Sequence, residues 1–166
     1  PSSSSRSGLT PLLVSIQRKL ADLASTLIDE GADVQKRNRE GTEFPLLAAC
    51  KAGLTRIATK LIERGAELDG ADGAGETPLV ASIVRRHHAI IHALLERGAG
   101  LWIAGPEGNA AGVRCWGASA LSLACKLNLG DFALQMIAKG ANVHATDSQK
   151  RTALHLCCVT GVEHPR

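Results

Sequence analysis

The stretch TPLVASIVRRHHAIIHALLERGA, residues 77–99, decides the fold because its landmarks recur along the chain at a nearly constant spacing. Each copy opens with a proline or alanine that precedes a leucine, at Pro11, Pro45, Pro78, Ala120 and Ala153. A Gly-Ala pair follows twenty residues later in the first four copies, at Gly31, Gly65, Gly98 and Gly140. The copies therefore start 34, 33, 42 and 33 residues apart. A period in this range is typical of a stacked repeat array.

Each copy has the pattern of two short helices. In the third copy, the Thr77 hydroxyl can cap the first helix, and Pro78 suits its first turn, where no amide is needed. Apolar residues at helical spacing indicate a second helix, which Gly98 ends. The same apolar quartet marks the second helix of the first four copies: Leu23, Ala24, Leu27 and Ile28; Ile57, Ala58, Leu61 and Ile62; Ile90, Ile91, Leu94 and Leu95; Phe132, Ala133, Met136 and Ile137.

The capping hydroxyl is kept in most copies but not in the second. It recurs as Thr10, Ser119 and Thr152. The second copy has Phe44 in this place, so that either Thr42 or Glu43 could cap its first helix instead.

Together these repeats resemble the ankyrin repeat family, whose unit is a turn, two antiparallel helices and a loop, with a TPLHxA signature and a Gly-Ala after the second helix. The resemblance covers roughly residues 8–166. It implies an all-α, ankyrin-like repeat solenoid of about four full helix-turn-helix repeats plus a partial fifth. The signature histidine is present only as His155, so we expect its contact with the capping hydroxyl to be absent from most repeats.

The repeats divide the chain into a lead-in and one domain. Residues 1–8 have little to bury and are expected to form a flexible lead-in, and residues 9–166 form the ankyrin repeat domain. The expected repeats are about 9–38, 39–69, 70–102, 118–147 and a partial 148–166, with an inserted loop at about 103–117. Half a repeat cannot cover its own apolar face, so the fifth predicts either a longer array or an oligomer.

Composition excludes several classes of protein. The 166 residues are 45% hydrophobic and only 2% aromatic, which favours helices packed through aliphatic side chains. The formal net charge of +3 is mild and no block of five or more like charges occurs, so nucleic acid is not an expected partner. No apolar run is long enough to span a membrane, and no signal-peptide pattern opens the chain.

The five cysteines do not form a disulfide framework, because their number is odd. Cys50, Cys125 and Cys158 occupy the slot of the first helix where Ile16 and Ile83 stand in other copies. We therefore expect them to be buried as small apolar side chains. Buried thiols favour a reducing compartment, so the expected location is intracellular, cytoplasmic or nuclear.

A row of cations is expected at the ends of the first helices. The resemblance implies that partners bind on the concave row of first helices and on the turn tips. Four cations fall at the exposed helix ends of this row: Arg18, Lys51, Arg85 and Lys126. Such a groove suits an acidic or phosphorylated segment of a partner protein. The alternative is that they are solvated cations, which a helix C-terminus favours.

Turn tips and the inserted loop supply the other candidate contacts. The turn positions carry Arg37, Arg39, Glu43, Glu76, Cys115, Trp116 and Arg151. Trp102 and Trp116 flank the inserted loop. These two tryptophans either anchor a partner or pack together and fold the loop onto the stack.

Neither metal binding nor catalysis has sequence support. His88 and His92 stand four residues apart, with His87 and Cys115 as conceivable further ligands, but no third ligand has a recognised spacing. No nucleotide-binding, metalloprotease or serine-hydrolase motif occurs. No cofactor, metal or small-molecule substrate is therefore expected.

The expected function is a non-catalytic protein-protein interaction module that binds a partner on its concave face, turn tips and inserted loop. The alternative is an interior structural spacer of a large multidomain scaffold or adaptor. Binding of nucleic acid or anionic lipid through the basic row is the least favoured of the three.

Overall fold

The computed structural model describes residues 9–101, 120–146 and 149–160, without the side chains of residues 159 and 160. Within these residues the chain forms nine α-helices and no strand beyond an isolated bridge between Thr146 and Thr152. The helices are α1 (Pro11–Gln17), α2 (Ala21–Asp29), α3 (Pro45–Ala52), α4 (Thr55–Glu63), α5 (Pro78–Val84), α6 (His88–Glu96), α7 (Ala120–Lys126), α8 (Gly130–Ala138) and α9 (Ala153–Thr160). The expected lead-in at 1–8 and the inserted loop at 103–117 lie outside the described residues.

The helices stack in two parallel rows. Helices α1, α3, α5, α7 and α9 pack on one another in chain order, and we call them the inner row. Helices α2, α4, α6 and α8 pack in the same order and form the outer row. Each inner helix also packs on the outer helix that follows it. The predicted all-α repeat solenoid is therefore confirmed, with four helix pairs and the first helix of a fifth.

The inner helices begin at the predicted residues, and some carry the predicted caps. The Thr10 hydroxyl accepts from the amide of Leu13 at 3.1 Å, and the Thr77 hydroxyl accepts from the amide of Val80 at 3.4 Å. Phe44 makes no side-chain cap on α3. Neither of the suggested replacements caps it, and Thr42 instead hydrogen-bonds with Asn38. Proline at the first position and a buried Phe44 are sufficient to start α3 without a polar cap.

The outer helices end at glycines, as Gly98 illustrates. Its φ of +79° lies in the left-handed region, where a side chain would be strained. This turn lets the amide of Ala99 reach the carbonyl of Leu94 at 2.9 Å, which satisfies a carbonyl at the end of α6.

The core runs through both rows, but the outer quartets are not equally buried. In α4 and α6 every member of the quartet is buried. In the first and fourth repeats one member is open: Leu23 is 49% exposed and Ile137 is 44% exposed. The reason is position in the stack, since among the described helices α2 and α8 each have an outer-row neighbour on one side only.

The cysteine slot is buried at two of its three predicted positions. Cys50 and Cys125 are buried, as predicted. The prediction for Cys158 is wrong, because its side chain is exposed. Among the described helices, α9 has an inner-row neighbour on the α7 side only, so nothing covers the far side of this slot.

Candidate functional site

Four charged side chains join the second repeat to the third at one edge of the inner row. Lys51, the last-turn cation of α3, donates from Nζ to Oδ2 of Asp72 at 2.7 Å and lies 3.3 Å from Oε2 of Glu76. Arg85, which caps α5, donates from its guanidinium to Oε1 of Glu76 at 2.7 Å. We call Lys51, Asp72, Glu76 and Arg85 the inner-row network. Two cations and two carboxylates balance, so the middle of the predicted cationic row is neutralised within the chain.

Glu76 is the most buried member of this network. Its side chain is 3% exposed, although carboxylates are rarely buried without partners. Oε1 is satisfied by Arg85, whereas Oε2 has the Lys51 ammonium nearby but no well-aligned hydrogen bond. We therefore regard the Lys51 contact with Glu76 as an ion pair rather than a hydrogen bond.

The network shifts the pKa values of two of its members. Burial by itself would lower the pKa of Lys51, but the hydrogen bond to Asp72 and the charges of Glu76 and Asp72 raise it above its ordinary value. Burial by itself would raise the pKa of Asp72, but hydrogen bonds from Lys51 and from two backbone amides lower it. Both groups are therefore held in their charged forms.

The same register links the first repeat to the second with a weaker contact. Gln17 occupies the position in α1 that Lys51 occupies in α3, and Glu43 stands two residues before α3 as Glu76 does before α5. Nε2 of Gln17 donates to Oε2 of Glu43 at 2.6 Å. Glu43, predicted as a partner contact, thus contacts the preceding repeat.

Arg37, another predicted contact, is used to hold the turn between repeats. Its guanidinium stacks over the ring of Phe44 at 4.6 Å from the ring centre. It pairs with Glu67 at 2.8 Å and donates to the carbonyls of Ala71 and Gly41 at 3.1 and 3.2 Å. A side chain with four internal contacts is less available to a partner than its exposure suggests.

Three predicted cations are exposed and have no ionic partner among the described residues. They are Arg18 at the end of α1, Arg39 at a turn tip and Lys126 at the end of α7. Arg151, in the turn before α9, is half-buried and interacts within the chain. The remaining predicted contacts, Trp102, Cys115 and Trp116, lie outside the described residues.

The histidines of the third repeat make structural contacts. The ring of His88 packs against Phe132 with 5.4 Å between ring centres, and Nδ1 of His92 lies 3.5 Å from Glu96. Burial and the charge of Arg85 lower the pKa of His87. In the part of the chain that the structure describes, no three His, Cys, Asp or Glu side chains converge on a metal position. His155 makes the family's hydroxyl contact, with Thr152 Oγ1 2.9 Å from its Nδ1.

A second charged cluster, which the sequence analysis missed, joins the outer helices α2 and α4. Asp29 pairs with Lys60 at 2.5 Å and with Arg64 at 3.1 Å, and Lys60 also donates to the Ser25 hydroxyl at 2.7 Å. The Lys60 hydrogen bond chiefly lowers the pKa of Asp29. The partners are 31 and 35 residues apart, close to one repeat period, and this spacing is the signal that could have identified them.

Comparison with known proteins settles the family. Residues 12–104, more than half of the chain, match the family described as ankyrin repeats in three copies. The chain belongs to the ankyrin repeat family. The matched residues include the whole inner-row network and, apart from Pro11, the first three helix pairs of this ankyrin repeat array.

Curated relatives are ankyrin proteins of greater length. The chain is 36% identical over 78 residues to human Ankyrin repeat and SOCS box protein 18, a match that covers 47% of this chain and 17% of that protein. It is 39% identical over 70 residues to Ankyrin repeat and SOCS box protein 11 of Danio rerio, covering 42% of this chain and 23% of that protein. It is 29% identical over 91 residues to a putative ankyrin repeat-containing protein of Treponema pallidum, covering 54% and 30%.

These matches indicate the general role of the family but not the function of a whole protein. Ankyrin repeats are in general non-enzymatic modules for protein-protein interaction. The chain spans less than a third of the length of each of these three relatives. Among the described helices, none has the length and apolar character needed to cross a bilayer.

Proposed function

We propose that this ankyrin repeat array is a non-catalytic binding module that holds a partner protein on the concave face of its inner row and on its turn tips. The partner segment is acidic or phosphorylated. The exposed cations Arg18, Arg39 and Lys126 contact it directly, and the inner-row network and Arg37 keep the surface between them in one shape.

The observation that carries this proposal is that some cations of the inner row are paired within the chain and others are not. Lys51 and Arg85 are paired with buried or half-buried carboxylates, whereas Arg18 and Lys126 at equivalent helix ends are exposed and have no ionic partner among the described residues. An exposed cation without an internal partner gains more from an incoming carboxylate or phosphate than one already paired.

Equivalent positions at the boundary between the fourth and fifth repeats also support an anionic partner. Lys126 occupies in α7 the position of Lys51 in α3, and Arg151 stands before α9 where Glu76 stands before α5. A cation therefore replaces the carboxylate of the inner-row network at this boundary. Lys126 therefore has no carboxylate at that position, and its exposed charge favours an anionic segment of the partner here.

Preorganisation explains how such a surface binds tightly enough to be useful. Every inner helix packs on its neighbours, and cross-repeat contacts fix the turns before the partner arrives. Less conformational entropy is then lost on association than for a flexible surface. The inserted loop at 103–117, which contains Cys115 and Trp116, and the flanking Trp102 are proposed as additional contacts on the basis of their sequence.

Charge reversal at the exposed cations tests the proposal. A partner captured from extract is purified, and its Kd for the chain is measured by calorimetry. We expect the double variant Arg18→Glu and Lys126→Glu to weaken binding by at least about tenfold, because each reversed contact at an interface costs on the order of 1 kcal/mol or more.

The matched control changes the same net charge on the other side of the stack. Arg56 in α4 and Arg97 at the end of α6 are exposed on the outer row. The double variant Arg56→Glu and Arg97→Glu should leave the Kd within about twofold. Equal weakening by both double variants would mean that net charge alone drives binding and would refute the concave site. A steep loss of binding with salt would then favour a nucleic acid or anionic lipid partner.

Exposed apolar side chains at both ends of the array favour a second candidate function. Leu20 and Leu23 are about half exposed at one end, and Leu134 and Leu154 are 67% and 72% exposed at the other. Such end faces suit an interior spacer that is stacked between further repeats of a scaffold. A spacer predicts that the chain itself retains no partner, whereas the binding module predicts that it does.

A further inference from the structure

Two neighbouring inner helices, α3 and α5, meet at a particular pair of positions. The sixth residue of α3, Cys50, contacts the fifth residue of α5, Ser82. At the boundary between α7 and α9 the same two positions are Cys125 and Cys157. This boundary therefore places one thiol opposite another.

Three features of the structure bring these two thiols together. Helices α7 and α9 pack directly against each other. The side chains of Cys125 and Cys157 are in hydrogen-bonding contact. Both cysteines also line one cavity of about 330 Å³, together with Ile137, Val143 and Leu154. Contact between two thiols on directly packed helices is the arrangement that a disulfide requires.

The two cysteines differ in their access to solvent. Cys157 is exposed, whereas Cys125 is buried and 6% exposed. Burial, reinforced by the contact with Cys157, raises the pKa of the Cys125 thiol to about 12. An oxidant in solution will therefore meet Cys157 first, and Cys125 will act second.

We propose that Cys125 and Cys157 form a redox-responsive dithiol site, which a low-molecular-weight disulfide such as oxidised glutathione converts to a disulfide that fastens α9 to α7. No other pair of facing positions in the inner row offers two thiols, since the equivalent pairs are Ile16 with Ala49, Cys50 with Ser82 and Ile83 with Ala124. This redox proposal does not rest on the proposed partner-binding function.

The exchange balances in two steps. The Cys157 thiolate attacks one sulfur of the small disulfide, a mixed disulfide forms on Cys157, and the first small thiolate leaves. Cys125 then loses its proton and its thiolate attacks the Cys157 sulfur, expelling the second small thiolate. The two protein thiols give up two electrons and two protons, and the small disulfide accepts them and becomes two small thiols.

Mass spectrometry of the purified chain in glutathione buffers tests the proposal. Trypsin would release Cys115 with Cys125 in one peptide and Cys157 with Cys158 in another, so the assignment uses a Cys115→Ser and Cys158→Ser double variant. We expect the oxidised double variant to lose two hydrogen atoms and to yield these two peptides cross-linked. Adding Cys157→Ser should abolish the cross-link.

A control pair in the same register tests the role of exposure. Cys50 and Ser82 are both fully buried, so the variant Ser82→Cys places two thiols in equivalent positions out of reach of the oxidant. Its cross-link should form at least about tenfold more slowly than that between Cys125 and Cys157. An equal rate would overturn the argument from exposure.

Two results would overturn the site itself. One is a double variant that stops at the mixed disulfide on Cys157, and the other is no loss of hydrogen in strongly oxidising buffer. Hydrogen exchange gives an independent readout in the wild-type chain, where oxidation should slow the exchange of the α9 amides. Unchanged α9 exchange in fully cross-linked protein would refute the fastening of α9 to α7.

Discussion

Lys51 of the second repeat donates to Asp72 of the third at 2.7 Å, and the same Asp72 accepts from the amides of Ala74 and Glu76 through its other oxygen. One carboxylate therefore shapes the turn before α5 and also ties that turn to α3. The inner row is thus held by polar contacts between repeats as well as by apolar packing.

Removing the buried charge of this network should lower the free energy of unfolding. We expect Glu76→Gln to destabilise the chain by about 1–3 kcal/mol, because Lys51 and Arg85 lose a charged acceptor inside the protein. Glu43→Gln is the matched control, since Glu43 has the same register but faces the neutral Gln17. Its effect should stay below about 1 kcal/mol in urea denaturation. Equal losses would show that the charge of Glu76 has no special role.

The pKa shifts predict how the stability of the network depends on pH. The folded-state pKa of Asp72 lies below its ordinary 3.8, so its contribution is present above that value and is lost as the pH falls through the folded pKa. The folded-state pKa of Lys51 lies above 10.5, so its contribution is present below that value and is lost as the pH rises through the folded pKa.

Denaturation of wild type and Asp72→Asn across pH checks this prediction. Asparagine keeps the acceptor oxygen for the turn amides but not the charge. The difference in unfolding free energy between the two proteins should be constant near neutral pH and should shrink below about pH 4. A difference that grows with acid would contradict the lowered pKa of Asp72.

Gly53, which ends α3, should be the least replaceable of three glycines. Its φ is +73°, and an added Cβ would lie 2.8 Å from Cε1 of His87. Gly65 has a φ of +78° but open space around it, and Gly130 has neither restriction. Replacement by alanine should destabilise the chain most at Gly53, by about 1–2 kcal/mol, less at Gly65, and not at Gly130. A Gly130→Ala variant as unstable as Gly53→Ala would contradict this order.

Two quartet leucines should differ in their contribution to stability because they differ in burial. Leu94 in α6 is fully buried, whereas Leu23 in α2 is 49% exposed. We expect Leu94→Ala to cost about 2–5 kcal/mol and Leu23→Ala about 1 kcal/mol. Thermal or urea unfolding of the two variants measures both, and equal costs would mean that α2 is covered in solution.

The fold was predictable because its signals are local and repeated. Proline at positions such as Pro78 and glycine at positions such as Gly98 mark helix starts and ends through constraints on the backbone of the residue itself. Five copies in register then predict stacking. The Thr77 cap and the burial of Cys50 follow from the same register.

The candidate site was only partly predictable, because pairing depends on contacts between repeats. Lys51 and Lys126 look alike within their own repeats, yet Asp72 and Glu76 of the next repeat neutralise Lys51. Exposure likewise depends on place in the stack, which is why Cys158 is exposed in a slot that buries Cys50. Comparing each helix with the residues one period away would have revealed both effects.

Mapping a bound partner onto the backbone amides by NMR tests the central claim most directly, namely that the inner row is the binding surface. On addition of the purified partner, we expect the largest chemical-shift changes at the inner-row ends and turn tips, including the amides of Arg18, Arg39 and Lys126. Changes confined to the outer helices α2, α4, α6 and α8 would contradict the account.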